Sequence, residues 1–394
     1  MEKYGYLTLK DYQRTLISCV VCYCGLCAAN CPAYVSLRDE AVSPRGLAQI
    51  AFNVLKGELD ISKVPDKIIY ACTGCGWCEW DCSQNRPLPD DLKRRDVMIS
   101  GATITELLRS IKVERGEVPE QVAEALNNLV KFGNPFGKPA KVKDDWVAGL
   151  GIQANPTDTI LYVGSLVPYD DLATKMAEAL VKVLKRAGLK FGMLGSKEAD
   201  SGAFARAVGE EGLFMELVDS NTETFKKNGV KRIICLSPHD YDTFVHYYDD
   251  IKDEIEIKHY TQVLWELMEN NKIELKGSYE KKVTYHDPCY LGRRNNIFDE
   301  PRKILKKIPG IELVEMKLAR EEAFCCGGGG TNLFYRIPEI DIDLRRVEQA
   351  KETGAEVIAV ACPICLRMLN DAVKSKGYEM TVLDIAQIVN EVMK

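Results

Sequence analysis

The sequence predicts a mixed fold in which a helical N-terminal part precedes a larger part built of α/β layers. Two dense cysteine runs lie within the first 82 residues, in a region of helical apolar spacing. Beyond residue 150 the pattern changes to short apolar strands that alternate with amphipathic helices, which is typical of α/β layers. A repeated frame of residues in that second region predicts that one α/β unit occurs twice.

Composition narrows the classes of protein to which the chain can belong. With 394 residues, 46% of them hydrophobic, it is long enough for two or three domains. Its 58 acidic and 52 basic residues give a net charge of -6, so we expect no nucleic acid partner. No apolar run reaches the roughly 18 residues of a membrane span, and residues 1–10 carry no secretory signal. We therefore expect a cytoplasmic protein whose membrane contact, where it has one, is made through a partner subunit.

The cysteine content indicates metal binding. An odd total of 15 thiols without an export signal argues against a disulfide framework. Cys72, Cys75, Cys78 and Cys82 follow C-x2-C-x2-C-x3-C, the run that gives three thiolates to one 4Fe-4S cubane and the fourth to a second cluster. A structural zinc site would usually show two separated pairs. Ser83 stands where proline commonly follows the fourth cysteine, but proline is not a ligand.

The first cysteine run is less regular and offers one thiol too many. Its end fits the same pattern, with Cys27, three residues, Cys31 and then a proline. Its beginning holds Cys19, Cys22 and Cys24 where the pattern needs two ligands. Counting inward from the preceding segment favours Cys19 as the first ligand and also suits Cys22, whereas counting back from Cys27 favours Cys24 as the second. All three stay candidates, and the two runs together predict two 4Fe-4S cubanes.

Helices are predicted between and after the cysteine runs. Apolar residues recur with helical spacing from Leu47 to Leu55, with Ser43 as a suitable N-cap, Pro44 in the first turn and Gly57 near the end. Charged helical segments follow up to residue 150. They are interrupted by the Gly/Pro-rich stretch 132–139, which breaks any helix and which we interpret as a linker.

The α/β part begins near residue 152. A short strand is predicted at 159–163, followed by an amphipathic helix that Gly188 ends. Further apolar segments, each expected to be a strand, lie at 232–236, 283–285 and 357–361.

The repeated frame is clearest at the cysteines of the second unit. There, 35 residues separate Cys289 from Cys325-Cys326-Gly327, and 35 separate Cys326 from Cys362-Pro363-Ile364-Cys365. In the first unit, 34 residues separate Ser165 from Asp200-Ser201-Gly202, and 35 separate Ser201 from Ser237-Pro238-His239-Asp240. Every cysteine position of the second unit thus meets Ser or Asp in the first. This predicts a duplication followed by loss of metal binding in the first copy.

These motifs resemble a known family. The segments 285–289, 325–330 and 361–365 are similar to the CCG domain of the heterodisulfide reductase family. With the two-cluster module in front, the arrangement resembles the D subunit of heterodisulfide reductase and the iron-sulfur subunits of glycolate oxidase, lactate utilisation and anaerobic glycerol-3-phosphate dehydrogenase. The resemblance implies a further iron-sulfur cluster in the intact CCG unit, and whether it is cubane or non-cubane stays open.

The linker, the repeated frame and the resemblance together give the expected domains. A two-cluster 4Fe-4S ferredoxin-like domain covers 1–100, and a helical segment with the linker covers 101–150. A degenerate CCG unit at 151–275 is followed by the intact CCG unit at 276–394.

The intact unit supplies five thiols where a cubane needs four. We expect Cys289, Cys325, Cys326, Cys362 and Cys365 to be metal ligands and the catalytic group of the protein. They can hold an extended cluster, or four can bind while one stays available for redox chemistry. Gly327 and Gly328 are expected to bind the cofactor, since glycine lets backbone amides approach sulfur. His286 and Asp287 could donate protons there, but a structural role in the loop is favoured.

The expected function is electron transfer. No flavin or nicotinamide fingerprint is present, so hydride chemistry would have to come from a partner. We expect an iron-sulfur subunit of an anaerobic oxidoreductase complex that passes electrons through two cubanes to or from the CCG cluster, which acts on a thiol/disulfide couple. Its partners would be a flavoprotein or a membrane haem/quinone subunit. The alternative is a relay subunit of a flavin-dependent lactate, glycolate or glycerol-3-phosphate dehydrogenase complex.

Overall fold

The computed structural model describes residues 7–88, 97–152 and 157–393, which form two compact units. Unit 1 comprises Met1–Glu124, Phe204–Met215 and Phe324–Ile342, and unit 2 comprises Ala125–Ala203, Glu216–Ala323 and Asp343–Lys394. The first six residues, on which the expected lack of a secretory signal partly rests, lie outside the described ranges. Within those ranges, no helix combines the length and the apolarity that crossing a membrane requires.

The cysteine-rich N-terminal region consists of short helices. These are α1 (Gln13–Val20), α2 (Leu26–Ala29), α3 (Pro32–Leu37), α4 (Pro44–Leu55), α5 (Asp66–Tyr70), α6 (Trp77–Trp80) and α7 (Gly101–Glu114). Helix α4 lies against α1, α2 and α7 and buries Leu47 and Ala51. The cysteine loops are thus arranged around one central helix.

The prediction for α4 is confirmed. The Ser43 hydroxyl accepts a hydrogen bond from the Gly46 N–H at 3.0 Å, and Pro44 occupies the first turn, where its missing N–H costs nothing. The chain leaves the helix through Gly57, whose φ of +74° is open to glycine at little cost.

Unit 2 contains the β-structure of the described chain, and all of its strand pairs are parallel. The strands are β1 (Thr159–Tyr162), β2 (Arg232–Cys235), β3 (Glu256–His259), β4 (Lys281–Tyr285), β5 (Ile311–Val314), β6 (Val357–Val360) and β7 (Thr381–Asp384). They form a three-stranded sheet in the order β1-β2-β3 and a four-stranded sheet in the order β5-β4-β6-β7. Parallel strands with helical crossovers confirm the predicted α/β class.

In the described part of the chain, eleven further α-helices follow α7. They are α8 (Glu120–Phe132), α9 (Lys141–Gly149), α10 (Asp171–Arg186), α11 (Ala203–Ala207), α12 (Glu211–Lys227), α13 (Pro238–Tyr247), α14 (Tyr260–Glu269), α15 (Asp299–Lys307), α16 (Ile342–Glu352), α17 (Pro363–Lys376) and α18 (Ile385–Val392). The predicted break at 132–139 is confirmed, because α8 ends at Phe132 and α9 begins at Lys141. Helix α10 ends before Gly188, as predicted.

Four strands were predicted and three were missed. Strands β1, β2, β4 and β6 match the predicted segments to within two residues, whereas β3, β5 and β7 carried no clear signal. The missed strands are all at sheet edges, where a strand has one neighbour and tolerates polar residues. The charged residues Glu256, Lys258 and Glu312 interrupt the continuous apolar run by which the other strands were predicted.

Candidate metal centres

Unit 1 separates the nine N-terminal cysteines into two groups. The first, named the inner thiols, comprises Cys31, Cys72, Cys75 and Cys78, which are electrostatic neighbours of one another. The second, named the outer thiols, comprises Cys19, Cys22, Cys24, Cys27 and Cys82, which are electrostatic neighbours and line one cavity that Cys78 also reaches. The last cysteine of each run therefore lies with the preceding cysteines of the other run, as in proteins with two 4Fe-4S clusters.

The inner thiols are buried or half-buried, and backbone N–H groups donate to two of them. Burial raises the pKa of the thiols of Cys31, Cys72 and Cys78, because a thiolate without a cation is costly inside a protein. The Gly101 N–H at the start of α7 donates to the Cys78 sulfur at 3.1 Å, and the Gly74 N–H donates to Cys72 at 3.4 Å. Bound iron would take the place of the protons on these thiols.

The outer thiols are more accessible and number five. Burial raises the pKa of Cys19 to about 12 and that of Cys27 to about 11. Cys24 differs, since the Leu26 N–H and the Ser83 hydroxyl favour its thiolate and lower its pKa. The sulfurs of Cys22 and Cys24 are 3.3 Å apart. All three alternatives left open by the sequence thus reach the same cavity.

Ser83 has a role that the sequence did not reveal. Its hydroxyl donates to the Cys24 sulfur across 3.6 Å. Only its departure from the usual proline drew attention to this position. A donor to sulfur at this position stabilises the thiolate form that binds iron.

Arg109 on α7 is a second residue that the sequence did not single out. It is 2% exposed, and its guanidinium donates to the carbonyl oxygens of Cys72 at 2.9 Å, Ala207 at 2.6 Å and Ile69 at 3.3 Å. Because arginine offers a planar fork of donors, one side chain can tie together several backbone segments. Arg109 thereby fixes the loop that carries Cys72.

The segment that carries Cys325 and Cys326, which also belongs to unit 1, packs against the loop that carries Cys72. Cys325 is 1% exposed, and its sulfur is 3.5 Å from the Thr73 hydroxyl oxygen. A Cβ at Gly329 would overlap the carbonyl oxygen of Thr73, and one at Gly330 would meet that of Cys72. The glycines are therefore needed for the close approach of two backbones.

Gly327 has the geometry expected of a residue that turns its amide toward sulfur. Its N–H donates to the Cys325 sulfur at 3.3 Å, and its φ of +87° favours glycine. Asn332 donates to the Gly327 carbonyl oxygen at 3.0 Å and holds the turn in place. Gly328 and Cys326 beside it are buried.

The other three predicted CCG thiols lie in unit 2, at one edge of the four-stranded sheet. Cys289 follows β4, Cys362 follows the neighbouring strand β6, and Cys365 lies in the first turn of α17. All three are buried, at 9%, 0% and 3% exposure. Parallel strands bring their carboxyl ends to the same edge, which is where α/β proteins place their sites.

His286 and Asp287 precede Cys289 and are held by arginines. Both oxygens of Asp287 accept from Arg302, at 2.6 and 2.9 Å, and the His286 Nδ1 accepts from Arg346 at 3.0 Å. Asp287 also accepts from the Arg320 N–H at 2.8 Å. These contacts favour the structural role for both residues.

The degenerate frame joins its polar residues to one another. The Ser165 hydroxyl donates to Asp200 at 2.6 Å, and the Ser201 hydroxyl donates to Asp240 at 2.5 Å. Burial raises the pKa of Asp240 to about 8, and the neighbouring carboxylate of Asp200 adds to the shift. Hydrogen bonds thus connect loops at the positions where the other frame carries cysteines.

Thiolates are the donors that iron-sulfur clusters require. The two N-terminal groups offer four and five sulfurs, and the backbone N–H groups around them point at sulfur. The residues present therefore fit iron-sulfur clusters. Cys235, by contrast, lies in β2 outside every group, is fully buried and has a raised pKa.

Comparison with known proteins agrees with this chemistry. The profile of a 4Fe-4S dicluster domain matches residues 15–85, and that of a cysteine-rich domain, CCG, matches residues 164–239 and 283–370. The chain therefore carries a 4Fe-4S dicluster domain followed by matches to the cysteine-rich CCG domain, and its cofactors are iron-sulfur clusters.

Several curated proteins are similar over nearly the whole chain. The iron-sulfur-binding oxidoreductase FadF of Bacillus subtilis is 32% identical over 96% of this chain and 60% of its own length. The EtfAB:quinone oxidoreductase of Syntrophomonas wolfei is 29% identical over 100% of this chain and 60% of its own length. The D subunit of the dihydromethanophenazine:CoB–CoM heterodisulfide reductase of Methanosarcina mazei is 28% identical over 94% and 92%. The chain thus spans about three fifths of the first two relatives and most of the third.

Proposed function

We propose that the chain is an electron-carrying iron-sulfur subunit of an oxidoreductase complex. The inner thiols would hold one 4Fe-4S cubane. Cys27, Cys82 and two of the three cysteines Cys19, Cys22 and Cys24 would hold the other. The observation that carries the proposal is the exchange of the last cysteine between the two runs, because it provides two complete thiolate sets within one unit.

We propose further that residues 276–394 form a copy of residues 151–275 that has kept its metal site. Supporting this, β2, β3 and the helix α14 are followed 125 residues later by β6, β7 and α18. His259 caps the N-terminus of α14, and Asp384 caps that of α18. Each forms a capping box with a glutamine three residues later, Gln262 and Gln387 respectively. Gly192 forms a parallel bridge with β1. It thus lies beside β1 in the position that β5 occupies beside β4.

The third cluster would be bound by Cys289, Cys325, Cys326, Cys362 and Cys365, with the amides of Gly327 and Gly328 toward sulfur. Support comes from the first copy, where the corresponding residues include two hydrogen-bonded Ser–Asp pairs. When bound, the clusters supply one-electron chemistry. The chain's own residues hold the sulfurs, exclude water and direct backbone N–H groups at them.

The reaction that we propose is electron transfer to or from a thiol/disulfide couple within a complex that includes a flavoprotein or a membrane haem/quinone subunit. The five-thiol motif and the name of the Methanosarcina mazei relative, part of a heterodisulfide reductase, support it. A second candidate, a relay beside a flavoprotein on the way to quinone, is favoured by the name of the Syntrophomonas wolfei relative.

Iron counting tests the cluster content. Anaerobically purified chain should contain about twelve irons, eight in two cubanes and four in the CCG cluster. Cys75→Ser should lower the count by about four and remove one cubane signal from the electron paramagnetic resonance spectrum. Cys235→Ser, which removes a buried thiol outside the motifs, is the control and should retain every iron. A colourless anaerobic preparation would contradict the proposal.

Electron delivery separates the two candidates. Chemically reduced chain is mixed with a small-molecule disulfide, and thiol formation is measured against cluster reoxidation. Two electrons lost from the clusters per disulfide cleaved, with two protons taken up from solvent, support the thiol/disulfide reaction. Reduction of the oxidised clusters by a flavoprotein and their reoxidation by a quinone, but by no disulfide, support the relay.

A further inference from the structure

Unit 1 places a hydroxyl group between two sets of predicted cluster ligands. Thr73 follows Cys72, an inner thiol, directly in the chain. Its side-chain oxygen lies 3.5 Å from the sulfur of Cys325, the first cysteine of the CCG pair. Thr73 is 3% exposed and Cys325 is 1% exposed, so little water competes for this contact.

The contact is held from several sides. Gly329 and Gly330 press on the backbone of Thr73 and Cys72 so closely that neither position has room for a Cβ. Arg109 donates to the Cys72 carbonyl oxygen at 2.9 Å and holds that backbone in place. Tyr335, beyond the glycines, meets Tyr70 edge to face with ring centroids 5.8 Å apart. The Thr73 hydroxyl is thus positioned against sulfur by packing on both loops.

The direction of the hydrogen bond depends on the state of the sulfur. A Cys325 thiol donates to the hydroxyl oxygen, as in this geometry. A thiolate bound to iron has no proton, so the hydroxyl becomes the donor. Donors to ligand sulfur stabilise the more negative, reduced state and so raise the reduction potential.

We propose that Thr73 is a positioning residue that donates a hydrogen bond to the iron-bound sulfur of Cys325 and raises the reduction potential of the CCG cluster. On reduction the cluster gains one electron, the proton stays on the threonine oxygen, and no covalent bond forms or breaks. This inference rests on the proposed function, since it requires a cluster at Cys325.

Three variants of Thr73 and one control test the proposal in the cluster-loaded full chain, with Thr73→Ala as the second variant that lacks the hydroxyl. Thr73→Val removes the hydroxyl at nearly equal volume, and Thr73→Ser keeps it. Thr331→Val is the matched control, because Thr331 lies fully buried in the same segment and its hydroxyl meets no hydrogen-bond partner among the described residues. Potentials are measured by an anaerobic redox titration followed by electron paramagnetic resonance.

At a fixed solution potential, Thr73→Val should raise the ratio of oxidised to reduced CCG cluster about tenfold, because this is the effect of losing one hydrogen bond to a charged group. For a one-electron couple this corresponds to a potential lower by about 59 mV. Thr73→Ser and Thr331→Val should match the wild type. Hyperfine spectroscopy in heavy water should show one exchangeable proton fewer in Thr73→Val, with the Gly327 N–H as the internal reference.

Each other outcome has a defined meaning. An unchanged potential in Thr73→Val, or an equal shift in Thr331→Val, overturns the inference. Failure of both Thr73→Val and Thr73→Ala to load the third cluster also overturns it, since Thr73 would then serve assembly. A wild type with about eight irons rejects the third cluster itself and with it the proposed function, whereas about twelve irons and an unmoved potential reject only Thr73.

Discussion

Arg302 forms a buried ion pair with Asp287, two residues before the predicted ligand Cys289. Its guanidinium meets both oxygens of Asp287, and both oxygens of Glu315 at 2.7 and 2.8 Å. The side chains of Arg302 and Asp287 are 6% and 3% exposed. The two carboxylates raise the pKa of Arg302 despite its burial, so the charge persists at any working pH. Arg302 therefore fixes the loop that leads to Cys289.

Replacement of Arg302 by methionine should destabilise unit 2 by about 3–5 kcal/mol, because it leaves a buried carboxylate without its cation. Chemical unfolding under anaerobic conditions measures this. Arg320→Met is the control, since its ion pair with Asp299 is largely exposed and is worth about 1 kcal/mol at most. Equal losses in the two variants would show that burial of the Arg302 pair has no special weight.

Asp240 makes the stability of the protein depend on pH. Its folded pKa of about 8 is far above the usual value of 3.8, chiefly because burial disfavours the charged form. The folded state thus binds a proton that the unfolded state has lost. The stability from this proton is complete below about pH 4 and is lost as the pH rises through about 8.

Asp240→Asn should flatten this dependence. Between pH 5 and pH 8 the variant should lose about 1–3 kcal/mol less of its unfolding free energy than the wild type. Urea titrations at several pH values measure the slope. Asp144→Asn, at a surface carboxylate whose pKa is lowered by Ser196, should retain the wild-type slope. The same slope in Asp240→Asn would show that this carboxyl is ionised in the folded protein.

At the scale of elements, the glycine-rich segment after Cys326 works by contact rather than by flexibility. Gly329 touches the backbone carbonyl of Thr73, so it has no room for a methyl group. This differs from a phosphate-binding glycine loop, in which the backbone N–H groups face a ligand.

Gly329→Ala should therefore displace the segment and cost about 1–3 kcal/mol, the usual range for overpacking. It should also broaden the CCG signal in the paramagnetic spectrum. Gly149→Ala, near the end of α9 with nothing within 4 Å of the added carbon, should be neutral or slightly stabilising. Thermal unfolding compares the two, and a neutral Gly329→Ala would refute the steric argument.

At the scale of the whole molecule, metal and hydrogen bonds stabilise different parts. In unit 1, α2 and α6 have four residues each, too short to persist without tertiary support. In unit 2, the three-stranded sheet ends in loops joined by Ser–Asp hydrogen bonds. Iron binding is thus coupled to folding mainly around the cysteine runs.

Removal of iron with a chelator should accordingly expose the two regions unequally. Hydrogen exchange followed by mass spectrometry should show faster exchange at residues 19–37 and 72–82. Strands β1 and β2 should keep their protection, since no metal is expected beside them. Equal acceleration in both regions would mean that the clusters stabilise the whole chain uniformly.

Regular sequence patterns allowed much of this architecture to be predicted. Edge strands and single residues with distant partners could not be predicted in this way. Apolar spacing located α4 and the strands β1, β2, β4 and β6, because helices and strands with regular apolar patterns depend on periodicity. Strands β3, β5 and β7 escaped because edge strands carry polar residues. Ser83, Arg109 and Thr73 escaped because their partners are distant in the chain, so no local pattern marks them.

By itself, the sequence determined the chemistry of this protein: thiolates at iron-sulfur spacing, two fold classes in order, and a second frame with Ser and Asp at the cysteine positions. Only the tertiary structure decided that Cys19, Cys22 and Cys24 all line one cavity with Cys27 and Cys82, because the irregular spacing of the first run left the choice among them open. It also decided that Thr73 meets Cys325, a contact set by packing between segments 252 residues apart. Ligand identity follows from residue type, whereas the groups around a ligand follow from the fold.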